Sequence, residues 1–282
     1  MRLVSICTTI ILLHFSLSAI GQIRPDKGWT LAAGWSEAHL GDQHSSPLLY
    51  QSDVLDLDAR YTIPGKTYFE VGLRFQIGTI QAKRHRKRTG TLRETPSLFD
   101  ETESFDYVAN PFLSRFGGSL YTRLLWDIGN YSQLGLMAQV RYDLAGIAGD
   151  TWQYAMADIG PSYQYHRSIH PKGAVHFAAS LPLAAIVMRP NWTFDPSLPD
   201  ETNYFKGYLR TGTRFTSLHE LQHPRISLGY QYQLPKGKTL GVKYQMQWLS
   251  YSEPRPLRIF EHGLQLSYSL QSPINHKNPI LL

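Results

Sequence analysis

Apolar and polar residues alternate along most of this chain with the period of a β-strand. In residues 66–78 every second side chain from Phe69 to Ile77 is apolar, and Glu70 and Arg74 lie between them. Because successive side chains of a strand point to opposite faces, this run predicts a strand with one apolar and one polar face. The same unit of strand, short turn, strand and long polar loop recurs to the end of the chain. The pattern therefore predicts an all-β fold, an antiparallel up-and-down transmembrane β-barrel.

Three short turns rich in Pro, Gly and Lys set the number of strands. They cover residues 63–66, 169–173 and 234–238. Short turns are typical of the periplasmic rim of a barrel, and an even number of crossings must separate two turns on one rim. Three strand-like runs lie between the second and third turns, and the run at 204–216 carries three cations and two glycines. We assign this run to a long extracellular loop at 188–224, which gives about ten strands. If it crosses, another segment must cross too, and the count is twelve.

Pro161 lies inside the predicted strand at 152–166. Proline has no N–H to donate to a ladder of hydrogen bonds, so its place inside a sheet is restricted. We therefore expect a bulge or a local break at this position.

The first 21 residues have the features of a secretory signal peptide. Arg2 precedes an apolar stretch at 3–17, and Ala19-Ile20-Gly21 supplies the small residues of a cleavage site. A helical anchor is the alternative, but polar residues interrupt the apolar stretch. We therefore divide the chain into a signal peptide at 1–21, a membrane β-barrel at 22–270 and a C-terminal extension at 271–282.

The composition excludes several classes of protein. The only cysteine, Cys7, lies in the predicted signal, so the mature chain has no disulfide framework and no thiolate chemistry. Beyond the signal the longest apolar run, 181–188, has eight residues, whereas a membrane helix needs roughly 18 to 20. Seventeen Tyr, twelve Phe and six Trp favour strands. The formal net charge of +6 comes largely from one loop and does not indicate a nucleic-acid partner.

The polar faces of the strands carry charges of both signs, which line the lumen if the apolar faces contact lipid. The charged residues assigned to the lumen are Asp56, Asp58, Arg60, Glu70, Arg74, Arg123, Asp127, Arg141, Asp143, Lys243 and Glu261. A ten-stranded barrel has a narrow lumen, and side chains of opposite charge can fill it by pairing. We favour this charge-filled lumen. The alternative is a selective pore or a ligand pocket, which needs a gap in the packing.

The sequence contains no convincing catalytic constellation. No serine and histidine have a spacing that resembles the motifs of membrane-surface phospholipases or deacylases. The string HELQH at 219–223 matches a zinc-peptidase pattern, which works only when a helix presents both imidazoles to one ion. The string lies in a predicted loop before Pro224, so zinc binding by His219 and His223 is the alternative that we rank last. We expect no enzyme activity and no cofactor.

These features together resemble those of bacterial outer-membrane β-barrel proteins. The resemblance rests on the signal, the alternating segments, the short turns against long loops, and the ending LQLSYSL at 264–270. The signal end Ala19-Ile20-Gly21-Gln22, with tyrosine-rich strands, is most similar to sequences of Bacteroidota. Such barrels usually end at an aromatic residue that closes the last strand, whereas this chain continues through 271–282. Either 268–270 serves internally or the last strand lies further on.

The resemblance implies a location in the outer membrane, contact with its lipid and lipopolysaccharide, and periplasmic or outer-membrane protein partners. For function it implies a structural or binding barrel. A porin-like small-solute channel is the alternative, and a surface lipase, deacylase or peptidase is the third candidate.

A run of positive charge lies in the long polar stretch at 79–111. Its cations are Lys83, Arg84, Arg86, Lys87 and Arg88. The run could bind lipopolysaccharide phosphates or another polyanion. Charge runs are usually only solvated, and we favour a solvated loop.

Overall fold

The computed structural model describes residues 27–43, 48–83, 88–94, 103–109, 112–145, 152–189 and 212–271. The strands are β1 (Gly28–Asp42), β2 (Leu49–Ile63), β3 (Thr67–Ala82), β4 (Arg88–Glu94), β5 (Glu103–Ala109), β6 (Phe112–Asp127), β7 (Ser132–Ala145), β8 (Trp152–His170), β9 (Gly173–Ser180), β10 (Ala184–Met188), β11 (Thr213–Ser217), β12 (Leu221–Gln222), β13 (Arg225–Leu234), β14 (Lys238–Tyr251) and β15 (Leu257–Gln271). A 3₁₀ turn covers Pro235–Gly237. Within these residues no helix has the length and apolar character that a membrane crossing requires.

Thirteen of these strands close into one antiparallel barrel, and β4 and β5 form a separate hairpin. β9 and β10 are two parts of one crossing, because both pair with β8. β11 and β13 pair with β10 and β9 in turn and make up the next crossing. The wall therefore has ten crossings, and β1 closes it by pairing with β15 over its whole length. The predicted ten-stranded antiparallel barrel is confirmed.

The run at 204–216 does not form a further crossing. Thr213–Ser217 pairs with Ala184–Met188 and then continues through β12 into β13. It lengthens an existing crossing at the end nearest the long loops, so the count of twelve is excluded. The predicted loop at 188–224 is wrong for Thr213–Ser217 and Leu221–Gln222, which pair within the barrel wall. Residues 204–211 lie outside the described part of the chain, as do residues 1–26 and 272–282, which carry the predicted signal and most of the predicted extension.

The connections of the wall differ in length between its two ends. At one end, which we call the turn rim, β2, β6, β8 and β13 are joined to the following strands by tight turns. At the other end, the loop rim, the connections run through 43–48, 83–111, 146–151, 189–212 and 252–256. The three turns rich in Pro, Gly and Lys all lie at the turn rim, and β1 begins and β15 ends there.

The outer surface of the barrel carries an apolar belt with a sharp edge. Trp35, Leu55, Ile77 and Phe116 lie side by side on neighbouring strands, and each is 43–57% exposed. Two residues closer to the loop rim, the next outward row in the same register is polar. It consists of His262, Glu37, Asp53, Thr79 and Ser114. An apolar surface that ends at one level around several strands is typical of a wall in contact with lipid.

The irregularity expected at Pro161 lies in the neighbouring strand. β8 pairs with β7 continuously through Pro161. On the other side of β8, Ile159 pairs with Ala184 and Ser162 pairs with Ser180. Between these pairs, the three residues 181–183 oppose only the two residues 160–161 of β8. The extra residue makes a bulge, so the inward positions change from even numbers in β9 to odd numbers in β10.

Candidate functional site

The loop-rim half of the barrel interior is filled by apolar side chains, which we call the apolar plug. Its members are Leu40, Ile80, Ala145, Tyr154, Met156, Ala185, Val187, Leu221, Leu249, Tyr251, Leu257 and Ile259. Each is at most 3% exposed, and Tyr50 and Leu113 pack against them. All ten crossings contribute a side chain from the strand end nearest the loop rim. Within the described residues the lumen is therefore dry and packed on this side.

The plug was missed in the sequence, although the pattern contains a signal for it. Leu257 and Ile259 lie an even number of residues from Glu261 in β15, so they share its inward face. Leu249 shares the inward face of Lys243 in β14 in the same way; we call this having the same parity. On these two strands, the inward face changes from charged to apolar residues toward the loop rim. Apolar side chains that point into a narrow lumen are expected to pack against one another.

Six charged side chains lie on the turn-rim side of the plug, and we call them the charged layer. They are Asp56, Asp143, Glu261, Arg74, Arg115 and Arg141. The two oxygens of Glu261 lie 2.8 Å from Arg74, 3.5 Å from Arg115 and 3.3 Å from Arg141. Asp143 lies 3.1 Å from Arg115 and 2.6 Å from Arg141. Three guanidinium groups thus balance three carboxylates, which is the condition under which buried charges are tolerated.

Neutral donors complete the charged layer. Asp56 pairs with Arg74 and also accepts hydrogen bonds from Ser36 at 3.0 Å and Gln245 at 2.7 Å. Gln76 donates to Glu261 at 2.7 Å. These residues come from strands on different sides of the barrel, so the hydrogen bonds tie the wall together across the lumen.

A second polar cluster lies beside the charged layer. Arg225 donates to Asp158 and also lies 3.0 Å from Nδ1 of His223. Nε2 of His223 lies 3.3 Å from the side-chain oxygen of Gln247. The arrangement fits an imidazole that accepts at Nδ1 and donates from Nε2. His223 is wholly buried in these contacts.

The turn-rim half of the interior contains a cavity of about 150 Å³, which we call the turn-side cavity. Its lining extends from Glu261 of the charged layer to rim residues such as Gly28 and Lys172, so the cavity opens at the turn rim. Charged residues of its wall are Asp58, Arg60, Glu70, Arg123 and Lys243. Glu70 accepts hydrogen bonds from Tyr68 at 2.8 Å and Arg123 at 3.1 Å, and Asp58 accepts one from Tyr121 at 3.1 Å.

The structure places ten of the eleven charged residues assigned to the lumen in the charged layer or the wall of the turn-side cavity. Asp127 is the exception and corrects the assignment. Its position in β6 is one whose side chain would point inward. It lies where that strand ends at the turn rim, however, and is exposed there. It accepts a hydrogen bond from Gln133 at 2.9 Å. Parity alone cannot show where a strand leaves the barrel. Sequence analysis also missed Arg115, Asp158 and Arg225, which have inward parity in or beside runs it had identified.

His219 and His223 do not form a metal pair. The segment is a turn followed by the two-residue strand β12, and not a helix. The side chain of His219 is 73% exposed and lies 2.7 Å from Oγ of Ser217, whereas His223 is buried in the interior. Across the described ranges, no three His, Cys, Asp or Glu residues come together in a way that could hold a metal ion.

The basic run begins at the loop rim. Lys83 is exposed at the end of β3, and its backbone N–H donates to the carbonyl of Leu49 at 2.8 Å. Arg84, Arg86 and Lys87 lie outside the described residues, and Arg88 is the first residue of β4. The prediction of a polyanion-binding loop therefore stays a prediction.

Arg189 links two other segments of the loop rim by hydrogen bonds. Its Nη2 lies 2.5 Å from Asp42 at the end of β1, and its Nη1 donates to the carbonyls of Glu253 and Arg255, each at 2.7 Å. The guanidinium also lies 5.8 Å from the ring centroid of Tyr251. Burial lowers the pKa of Arg189, and the charge of Asp42 acts against this shift. An arginine keeps its charge under these conditions, so the contact is a charged one at neutral pH.

We expect Arg189→Lys to lower the free energy of unfolding by about 1–3 kcal/mol, because lysine cannot donate to Asp42 and two carbonyls at once. Urea titration in lipid vesicles, followed by the heat-dependent gel mobility of the folded barrel, measures this loss. Arg214→Lys is the matched control, since Arg214 pairs with Glu253 at 2.9 Å but its side chain is 54% exposed. The control should change stability by no more than about 0.5 kcal/mol. Equal losses in both variants would contradict the role given to Arg189.

The sequence matches no protein-family model, and no curated protein matches it at a significant level. Several solved structures of bacterial outer-membrane β-barrel proteins are weakly similar to it. The outer-membrane protease OmpT from Escherichia coli is 8% identical, with a TM-score of 0.38 over 90% of this chain and 98% of that chain. The β domain of the Bordetella autotransporter BrkA is 12% identical, with a TM-score of 0.40 over 88% and 100%. The NanC porin is 12% identical, with a TM-score of 0.31 over 86% and 100%. At these identities the likeness concerns the fold alone.

Proposed function

We propose that the protein is an integral outer-membrane β-barrel of structural or binding type, sealed toward the loop rim and open at the turn rim. The apolar plug is the observation that carries the proposal. A solute crossing the barrel would have to displace twelve buried apolar side chains from eight crossings, together with Tyr50 and Leu113 from the other two. Closely packed interiors of this kind do not open without a large loss of contacts.

The membrane location is supported by where the apolar and charged side chains lie. On β1, β2, β3 and β6 the outer apolar belt ends at one level, while ten predicted charges lie inside the barrel. This is the reverse of a soluble protein and is the distribution that a lipid environment requires. We infer from the long connections at one rim and the tight turns at the other that the loop rim faces outside the cell and the turn rim faces the periplasm. Lys83 at the loop rim would then lie beside lipopolysaccharide. The end of the signal and the tyrosine-rich strands support a Bacteroidota-like origin as a proposal.

A porin-like channel is the second candidate, and the turn-side cavity is the observation that favours it. Conduction needs a continuous wet path with room for ions to enter and leave. The cavity supplies half of such a path and stops at Glu261 in the charged layer. A channel would therefore require a rearrangement of the plug.

A surface hydrolase is the third candidate, and one exposed turn keeps it under consideration. Ser217 Oγ lies 2.7 Å from Nδ1 of His219, whose Nε2 lies 3.5 Å from Glu220. Nucleophile, base and carboxylate are all present, but they are neighbours in one exposed turn. A productive site also needs a cleft that positions substrate and excludes water. Ser217, His219 and Glu220 do not line the turn-side cavity.

We expect the purified protein to pass no steady current in a planar bilayer, because the apolar plug blocks the lumen. Single-channel recording after reconstitution measures this directly. Regular current steps whose size follows the salt concentration would overturn the sealed barrel and favour the channel.

An absence of current needs an independent control, and cysteine labelling supplies one. The mature chain contains no cysteine, so single substitutions can be labelled without background. Gln231→Cys lies in the wall of the turn-side cavity and should react with a water-soluble maleimide in the folded barrel. Leu249→Cys lies in the apolar plug, where the parent side chain is 3% exposed, and should react only after unfolding. Rapid labelling of both positions in the folded protein would show that the plug is not packed.

A further inference from the structure

The turn-side cavity carries an excess of positive charge. Arg60, Arg123 and Lys243 project into it, against Asp58 and Glu70. Both oxygens of Glu70 are already occupied, one by a tyrosine hydroxyl and one by Arg123. Because the charged layer above is balanced, one positive charge among these five side chains remains without compensation, and Lys172 at the rim adds a second.

The side chains of Arg60 and Lys243 lie inside this wall without a direct partner. Neither side chain makes a hydrogen bond, or an ion pair within 4.0 Å, with any described residue. Glu70 and Asp58 attract Arg60, and Asp58 attracts Lys243, from beyond this distance, but Arg60, Arg74 and Arg123 repel Lys243. Gathering like charges away from bulk water costs free energy unless a further negative charge joins them.

Neutral groups in the same wall also have unused hydrogen-bonding capacity. Both ring nitrogens of His176 and Nε2 of His166 are buried and have no hydrogen-bond partner among the residues that the structure describes. A neutral imidazole can donate from one nitrogen, so His176 can add a donor to an anion held by the two cations. Donors of this kind around a concave space are the usual composition of a binding site for oxyanions.

We propose that the turn-side cavity binds a small oxyanion, the phosphate or carboxylate group of a molecule that enters from the turn rim, with Arg60 and Lys243 as charged donors. The inference rests on the proposed function, because the packed plug makes this part of the lumen a pocket with its opening at the turn rim. A volume of about 150 Å³ accommodates one such group together with a few waters.

Titration of the purified protein in detergent with inorganic phosphate tests the proposal. Isothermal titration calorimetry at low ionic strength should show one saturable site per chain. Lys243→Gln and Arg60→Gln should each weaken binding at least about tenfold, because each removes one charge-assisted hydrogen bond. Arg258→Gln removes the same charge from the exposed outer face of β15 and should leave the affinity unchanged. A parallel titration with acetate separates a phosphate site from a carboxylate site.

The outcomes distinguish this inference from the sealed barrel on which it rests. Heat-dependent gel mobility verifies that each variant is folded before its binding is compared. No saturable binding of either anion to the unaltered protein, or an equal loss in Arg258→Gln, overturns the oxyanion site. Steady bilayer current with phosphate binding retained overturns the sealed barrel and leaves the oxyanion site intact. If the protein passes no current and binds neither anion, the oxyanion site is wrong and the sealed barrel stands.

Discussion

Replacing Glu261 by alanine is expected to lower the free energy of unfolding of the barrel by about 3–5 kcal/mol. Glu261 is 2% exposed, and its carboxylate lies within 3.5 Å of Arg74, Arg115 and Arg141. Without it, three buried guanidinium groups face only two carboxylates. The loss measures the uncompensated charge left behind, which exceeds the net contribution of the intact pairs.

Equilibrium unfolding in urea, in lipid vesicles, gives the size of the effect for Glu261→Ala. Gln265→Ala is the matched control, because Gln265 lies on the same face of β15 and is also fully buried, but its amide makes no hydrogen bond. It loses similar volume without leaving a charge, so its loss of stability should be less than half as large. If the two variants lose the same stability, then packing volume, and not charge balance, determines the stability of the charged layer.

Replacing Gly160 by alanine is expected to destabilise the barrel by at least about 1–3 kcal/mol. A Cβ at this position would lie 2.1 Å from the carbonyl oxygen of Leu181 and 2.6 Å from Cα of Pro182. Those atoms belong to the bulge at 181–183, which hydrogen bonds hold against β8: Leu181 donates to Pro161 at 3.1 Å and Leu183 donates to Ile159 at 2.9 Å. The collision is with backbone, so a rotamer change cannot relieve it.

The yield of folded barrel and the urea midpoint both report on Gly160→Ala. Gly129→Ala is the control, since Gly129 lies in a turn where an added Cβ meets nothing within 4 Å. We expect the control to fold as well as the unaltered protein. A normal midpoint for Gly160→Ala would mean that the bulge can move aside, and the bulge would then have no fixed place in the wall.

The fold was predictable because two independent constraints act on every strand. Lipid on one side requires outward residues such as Leu73 and Leu134 to be apolar, and the lumen allows Glu70 and Arg74 on the other side. The turns at the turn rim then require an even count of crossings, which gave the count of ten although Thr213–Ser217 lies in the wall and not in a loop. Both constraints can be applied to the sequence without knowing which strands pair.

The interior was less predictable, because the surroundings of an inward side chain depend on its distance along the barrel axis. Alternation along a strand shows which face a side chain lies on but not this distance. Lys243 and Leu249 share one face of β14, yet one lines a wet cavity and the other a dry plug. Asp127 shares a face with Arg123 and lies in solvent. The bulge beside Pro161 was placed in the wrong strand, because a proline indicates an irregular ladder but not which partner carries the extra residue.

The asymmetric interior also determines where a voltage applied across a bilayer would fall. Ions cannot follow the field into the apolar plug, whereas water in the turn-side cavity connects with the compartment at the turn rim. Most of the potential difference therefore drops across the plug and the charged layer. An anion beside Lys243 would cross only a small part of the field on entering, so little electrical work would accompany its binding. Its affinity should then be nearly independent of the size and sign of the voltage.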